Sequence, residues 1–244
     1  MTAEGPADRE RDDRHPHVFV ADLERPELDD DDRHHLARVL RVRDGDPITA
    51  SDGRGRWRPC TFGATLEPTG EIVLVEPPAV RLTIGFALVK GERPELVVQK
   101  LTELGMDRIV PFVGARSIVR WDPDRAVKQV QRLRRVAREA AMQSRRCHLP
   151  EVGELSDFAT LVQQPGMAIA DKEGAPPGRG LTGALIGPEG GWTDEERAEA
   201  AGAGAPVMAL GGHVLRAETA AFTAAALLAA LRQGLVRPAS GGVA

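Results

Sequence analysis

Two patterns of apolar spacing divide the chain. Between residues 15 and 78, apolar and polar positions alternate over short runs, HVFV, PITAS, RWRPCTF and EIVLVE, which is the period-two pattern of half-buried strands. Asp52-Gly53 and Gly55 supply turn signals between them, and a helical stretch at about Asp31 to Arg41 interrupts the set. These elements predict a small β-barrel with one helix. Glu76-Pro77-Pro78 then reads as a stiff linker. Beyond Val80 the runs lengthen and begin to alternate with helical periods. RLTIGFALV predicts a strand, and a helix follows from Pro94 to Gly105, a glycine suited to a helix C-terminus. RIVPFV predicts the next strand, followed by a long basic helix; ELSDFATLVQQ reads as helical, and MAIA and ALIG as strands. Thr193 with Glu196 three residues on is a capping box, PVMALGG is a strand, and residues 217 to 232 form the last helix.

Strands alternating with helices predict an α/β domain with a mostly parallel sheet. The expected organisation is a disordered tail over 1–14, the β-barrel over 15–78 and the α/β domain over 79–244. Ligands of such sheets bind beyond the C-terminal ends of the strands, where two glycine-rich segments fall.

Composition narrows the function classes. With 42% hydrophobic and 28% charged residues in 244, whole-chain disorder is excluded. Cys60 and Cys147 are far apart with no CxxC, which argues against a disulfide framework and a structural zinc site. The charged N-terminus has no apolar core of a signal peptide, and the longest apolar run, Ala220 to Leu231, is Ala-rich and interrupted by Thr223. A cytoplasmic location is expected. The formal charge of −4 argues against a nucleic-acid partner, but its distribution does not. Asp29 to Asp32 is an acidic run, whereas Arg125 to Arg146 holds eight basic residues and one acid, Glu139. Screening within about 8–10 Å lets such a stripe act locally on phosphates. By itself, a solvated helix face explains the stripe at least as well.

Two segments carry candidate chemistry. Ile186-Gly187-Pro188-Glu189-Gly190-Gly191-Trp192 joins a strand to the capped helix. Its glycines let a ligand approach the backbone. It lacks the Lys-Ser/Thr of a phosphate loop, and Asp194, Glu195 and Glu196 at the helix start would repel an anion. An uncharged or cationic ligand fits better; a plain β–α turn is the alternative. Leu210-Gly211-Gly212-His213-Val214-Leu215-Arg216-Ala217-Glu218-Thr219 also leaves a strand and enters a helix. Glu218 suits the helix dipole, but Arg216 is a cation at the unfavourable end, which calls for a ligand or a specific carboxylate such as Glu218. His34, His35, His148 and His213 form no spacing that holds a metal, and none is expected. Cys147 beside Arg145 and Arg146 reads as a packing residue.

In order and spacing, these residues resemble the ribosomal RNA small subunit methyltransferase E family of the SPOUT superfamily. His35 to Arg41, Gly45-Asp46 and Asp52-Gly53 are similar to its N-terminal PUA-like module. Lys90-Gly-Glu, Gln99 to Gly105, Pro111 and Arg116-Ser117 resemble the opening of its catalytic domain. Glu139-Ala140, Gln143-Ser144, Arg146 and Pro150 match its long-helix signature, and Gly187 to Gly191 with Leu210-Gly211, Leu215-Arg216 and Glu218-Thr219 match its two cofactor loops.

The resemblance implies an S-adenosylmethionine-dependent enzyme that methylates N3 of a uridine in 16S rRNA, a deep trefoil knot and a homodimer. It implies cofactor contacts at Leu185, Ile186, Gly187, Pro188, Glu189, Gly190, Gly191, Leu210, Gly211, Val214, Leu215 and Thr219. RNA contacts are expected at Arg38, Arg41, Lys90, Arg116, Arg138, Arg145 and Arg146. Arg216 is the candidate for stabilising charge on the uracil oxygens, with Glu218 and Glu189 for orientation or proton handling. Two departures from the family pattern, Met142 for an acid and Ala217 for Thr, remove hydrogen-bonding groups expected near the site. The competing readings are a noncatalytic RNA-binding or ribosome-assembly protein, and a SPOUT enzyme acting on another RNA position.

Overall fold

The computed structural model describes residues 15–89, 93–178 and 180–236. The expected tail and Lys90 lie outside them. Contacts divide the chain into two compact units. Among the described residues, one comprises 15–78 together with Arg138–Leu149; the other comprises 79–89, 93–137, 150–178 and 180–236.

The N-terminal unit is built on strands β1 (His17–Phe19), β2 (Pro47–Ser51), β3 (Arg56–Thr61), β4 (Glu67–Pro68) and β5 (Val73–Leu74). β1 runs parallel to β2, and β3 pairs antiparallel with β2, β4 and β5. The expected helix is shorter and irregular. Helix α1 (Asp30–His34) is capped by the Asp29 carboxylate, then widens into a π-helical turn, His35–Val39. The expected strand EIVLVE reduces to Val73–Leu74, opposite Trp57 and Arg56.

Ala141 and Met142 join Val18, Leu36, Ile48 and Cys60 in the apolar core of this unit. Arg138 closes over it. The Arg138 guanidinium donates to both Asp32 carboxylate oxygens, at 2.9 Å for Nη1, and lies 5.8 Å above the Phe19 ring. The hydrogen bonds that the Asp32 carboxylate accepts hold the Arg138 guanidinium above its ordinary pKa, with burial opposing the effect. Segment 138–149 is thus bound into this unit by apolar and ionic contacts that its sequence position did not reveal.

The second unit holds a seven-stranded sheet in the order β12-β10-β11-β6-β7-β8, with β9 also on β7. Its members are β6 (Thr83–Ala87), β7 (Arg108–Val113), β8 (Glu151–Val152), β9 (Ser156–Asp157), β10 (Met167–Ala175), β11 (Gly183–Ile186) and β12 (Val207–Met208), and every pairing is parallel. β7 and β11 are buried along nearly their whole length, as unbroken apolar runs in a parallel sheet require.

Helices α2 (Arg93–Glu103), α3 (Pro123–Gln143), α4 (Phe158–Val162), α5 (Asp194–Gly202) and α6 (Ala217–Arg232) complete the order. Gly105 adopts φ +82° just beyond α2, the left-handed stop read from the sequence. ELSDFATLVQQ is not one helix. Ser156 and Asp157 extend the sheet beside Phe112 and Val113, and the Asp157 carboxylate caps the five-residue α4. The alanines of α6 let it lie close on the sheet, with Ala221, Ala224, Ala225 and Leu228 in the main core. Among the described residues, no helix is long and apolar enough to cross a membrane.

Candidate cofactor and catalytic site

A cavity of about 390 Å³ lies in the second unit, lined by the last residue of β11 and the loop after it, by the segment that follows β12, and by Ala170, Asp171 and Lys172 in the middle of β10. This is where parallel sheets hold ligands, and the size suits a small cofactor. Ile186, Gly187, Pro188, Glu189, Gly190 and Gly191 form one wall; Leu210, Gly211, Val214 and Leu215 form another. The two glycine-rich segments therefore meet in one site.

The first loop is held from three sides. A Cβ at Gly187 would stand 3.0 Å from the Trp192 ring. That indole stacks on Phe112 at 6.2 Å and donates from Nε1 to the Ala170 carbonyl at 2.9 Å. Arg116 donates from Nη1 to the Gly190 carbonyl, also at 2.9 Å. The capping box of α5 is present, and its buried Glu196 does more than cap: Oε2 accepts from the Thr193 amide and Oε1 from the Ala115 amide, at 2.9 and 2.8 Å. One carboxylate thus joins the loop after β7 to the loop after β11. Neighbouring Glu195 is held below the usual carboxylate range by its own amide, the Thr193 hydroxyl and the Arg116 charge, with burial opposing them.

The second loop brings Arg216 and Glu218 to the start of α6. Arg216 is its N-cap residue, exposed, between Leu215 and Ala217, both on the cavity wall. Glu218 is not paired with Arg216. Its Oε1 lies 3.8 Å from Nε of Arg93, the first residue of α2. Glu189 Oε1 lies 3.8 Å from Nη1 of the same guanidinium. The Glu218 side chain is 13% exposed against 48% for Glu189, and Glu218 Oε2 is buried without a hydrogen-bond partner. The site therefore carries two carboxylates facing one cation, with a second cation, Arg216, that makes no ion pair among the described residues.

Two expected cofactor residues stand elsewhere. Leu185 is fully buried in β11, where its side chain covers the bare Cα of Gly85. Thr219 is exposed on α6, outside the cavity lining. Of the expected RNA residues, Arg38 and Arg41 are exposed on and after the π-helical turn, and Arg41 has a positive φ of 55°. Arg138 is spent on Asp32. Arg145 donates from Nε to the His15 carbonyl at 2.9 Å, and the Arg146 carbonyl faces His17 Nε2 at 3.2 Å. Of the two departures from the family pattern, Met142 lies inside the apolar core of the N-terminal unit and Ala217 lines the cavity.

Sequence reasoning missed Arg93, Asp171, Lys172 and Arg197. The last three line the cavity, with Asp171 and Arg197 paired at 2.6 Å. Arg93 was open to discovery by the argument applied to Arg216, since it too is a cation at a helix N-terminus.

A parallel α/β unit with paired glycine loops around a cavity at its strand ends belongs to the RNA methyltransferase class: residues 76–229 match the RNA methyltransferase domain family, and residues 28–65 match the RNA methyltransferase PUA domain family. More narrowly, the chain belongs to the ribosomal RNA small subunit methyltransferase E family. It is 34% identical to that protein of Mycobacterium bovis over 81% of this chain and 83% of the relative. The corresponding Bacillus subtilis protein is 29% identical, over 77% of this chain and 82% of its own length. A crystal structure of the family member from Neisseria gonorrhoeae, bound to S-adenosyl methionine, superposes with a TM-score of 0.76 at 26% identity, covering 90% of this chain and 98% of that one.

Proposed function

We propose that this chain transfers a methyl group from S-adenosylmethionine to N3 of a uridine in 16S rRNA of the small ribosomal subunit. The observation that carries the reading is one cavity shared by both glycine loops, with Arg216 between its lining residues Leu215 and Ala217 and Glu218 in the first turn of the helix that follows. The residues present fit the cofactor. Added Cβ atoms at Gly191, Gly211 and Gly212 would meet nothing within 4 Å, so the loops leave open space beside bare backbone. The wall also carries charges of both signs, Asp171 and Glu189 with Lys172 and Arg197, which suits a neutral adenosine and a zwitterionic amino-acid tail. When bound, S-adenosylmethionine supplies an electrophilic methyl carbon on a sulfonium.

The rest of the chemistry falls to the chain. Uridine N3 must lose its proton, which leaves negative charge on O2 and O4. Arg216, unpaired and beside the wall, stabilises that charge. Glu218 takes the proton: it is the more buried carboxylate, and one of its oxygens lacks a donor. Arg93 orients Glu218 and Glu189. Exposed Arg38 and Arg41 in the PUA-like module, and Arg116 beside the glycine loop, are the RNA contacts this reading favours. Lys90, Arg145 and Arg146 remain in the proposed set. The trefoil knot, the homodimer and a cytoplasmic location belong to the same proposal.

Calorimetry tests it. The protein is expected to bind S-adenosylmethionine, and Arg216→Ala to keep that binding while losing at least about 100-fold in turnover, the scale of one lost charge-stabilising group. Absence of cofactor binding with RNA affinity intact would replace this reading with a noncatalytic RNA-binding one.

A further inference from the structure

The second unit contains another cavity, of about 500 Å³, lined by residues the proposed methyl transfer does not use. Arg120, Trp121 and Ile118 come from the loop before α3, Arg125 and Arg132 from α3 itself, and Glu95 from α2. Three guanidinium groups on one cavity repel one another unless anions lie between them. Only one has an anion in place: Arg132 Nε is 3.0 Å from Glu95 Oε1. The acids nearest in sequence are Asp122, whose Oδ1 accepts from the Arg125 backbone amide at 2.9 Å, and Asp124, which forms no ion pair among the described residues. Among the described residues, the Arg120 and Arg125 side chains form no ion pair, and both residues are exposed. Beside them, Ile118 is 75% exposed, and the partly buried Trp121 supplies indole surface anchored on the main core.

We infer that this cavity binds a nucleotide of the RNA substrate other than the one methylated, with its phosphate between Arg120 and Arg125 and its base on Trp121. Paired guanidiniums hold phosphate oxygens through directed hydrogen bonds. An aromatic face accepts a base of any identity, because every base has a π-face. The combination of two unpaired cations with adjoining indole and aliphatic surface matches a single-stranded nucleotide better than an isolated anion, which has no use for Trp121 and Ile118. The site is an anchor that sets the path of the strand. The inference rests on the RNA-methyltransferase reading above.

The experiment measures binding of in vitro transcribed 16S rRNA to the full chain across a salt series, for the wild type, Arg120→Ala/Arg125→Ala, Arg120→Lys/Arg125→Lys and Trp121→Ala. Loss of one phosphate contact lowers the slope of log K against log salt by about 0.7 on a single strand. The double alanine variant is expected to bind about tenfold more weakly with a shallower slope. The lysine variant should recover the slope, and Trp121→Ala should weaken binding at an unchanged slope. Calorimetry with S-adenosylmethionine should give one unchanged affinity throughout, which certifies the fold. An unchanged slope in the alanine variant overturns the anchor. So does a variant that turns monomeric in sedimentation while the wild type is dimeric, because the cavity would then be a contact between two copies. Failure of the underlying reading would be visible separately, as a wild type that binds neither cofactor nor rRNA.

Discussion

Glu189 and Glu218 meet one guanidinium at 3.8 Å each, and this arrangement makes Arg93 worth changing. Arg93→Ala leaves Glu218, which is mostly buried, facing no cation. The expected result in steady-state kinetics is a fall in kcat of about tenfold with KM for the cofactor nearly unchanged, partly restored by Arg93→Lys; a rise in KM alone would make Arg93 a cofactor-binding group instead. A different carboxylate sets an acid limit on stability. Burial by itself would raise the Asp52 carboxyl, but hydrogen bonds from the Arg54 and Arg56 amides and the Arg56 guanidinium hold it below its ordinary value of 3.8. Its contribution is therefore present above that value and is lost as pH falls through the lower folded value. Asp52→Asn should cost about 1–2 kcal/mol at pH 7, with the Tm difference from wild type closing in more acidic buffers. The residues flanking these groups were legible as motifs. Their partners were not, because Arg93 and Glu218 are 125 positions apart and only the fold brings them together.

Element by element, local chemistry was readable where it was self-contained. The capping box at Thr193, the glycine stop at Gly105 and the bounds of β2, β7 and α6 follow from the residues within each segment. Thr193→Ala should destabilise the second unit by about 1 kcal/mol in denaturant titration. Glu196→Ala should cost more, since it also strips the Ala115 amide of its acceptor in a partly buried place. Equal effects would mean that the link to the loop after β7 contributes nothing. Elements were misread where a distant strand decided them. Ser156-Asp157 is strand only because β7 offers an open edge beside it, and Glu67–Pro68 shows no alternation that would announce a strand opposite Cys60 and Thr61.

For the whole molecule, Arg138–Leu149 belongs with the N-terminal unit, and nothing in the sequence around it announces the switch. A basic run on a helix looks the same in sequence whether it faces solvent or closes a core. Here Ala141 and Met142 fill the core and Arg138 binds Asp32, so the stripe is split between structural and exposed arginines. A fragment of residues 15–78 lacks these groups and is expected to show no cooperative thermal transition by circular dichroism. Cooperative unfolding of that fragment would show that segment 138–149 is dispensable.

Nucleoside mass spectrometry reads methylation at uridine N3 without an intermediary. Small ribosomal subunits and free 16S rRNA are incubated with the protein and S-adenosylmethionine carrying an isotopically labelled methyl group, then digested to nucleosides. The label is expected in 3-methyluridine with at least one of the two substrates, and is expected to be lost in Arg216→Ala. Label in any other nucleoside, or none with either substrate despite intact RNA binding, would contradict it.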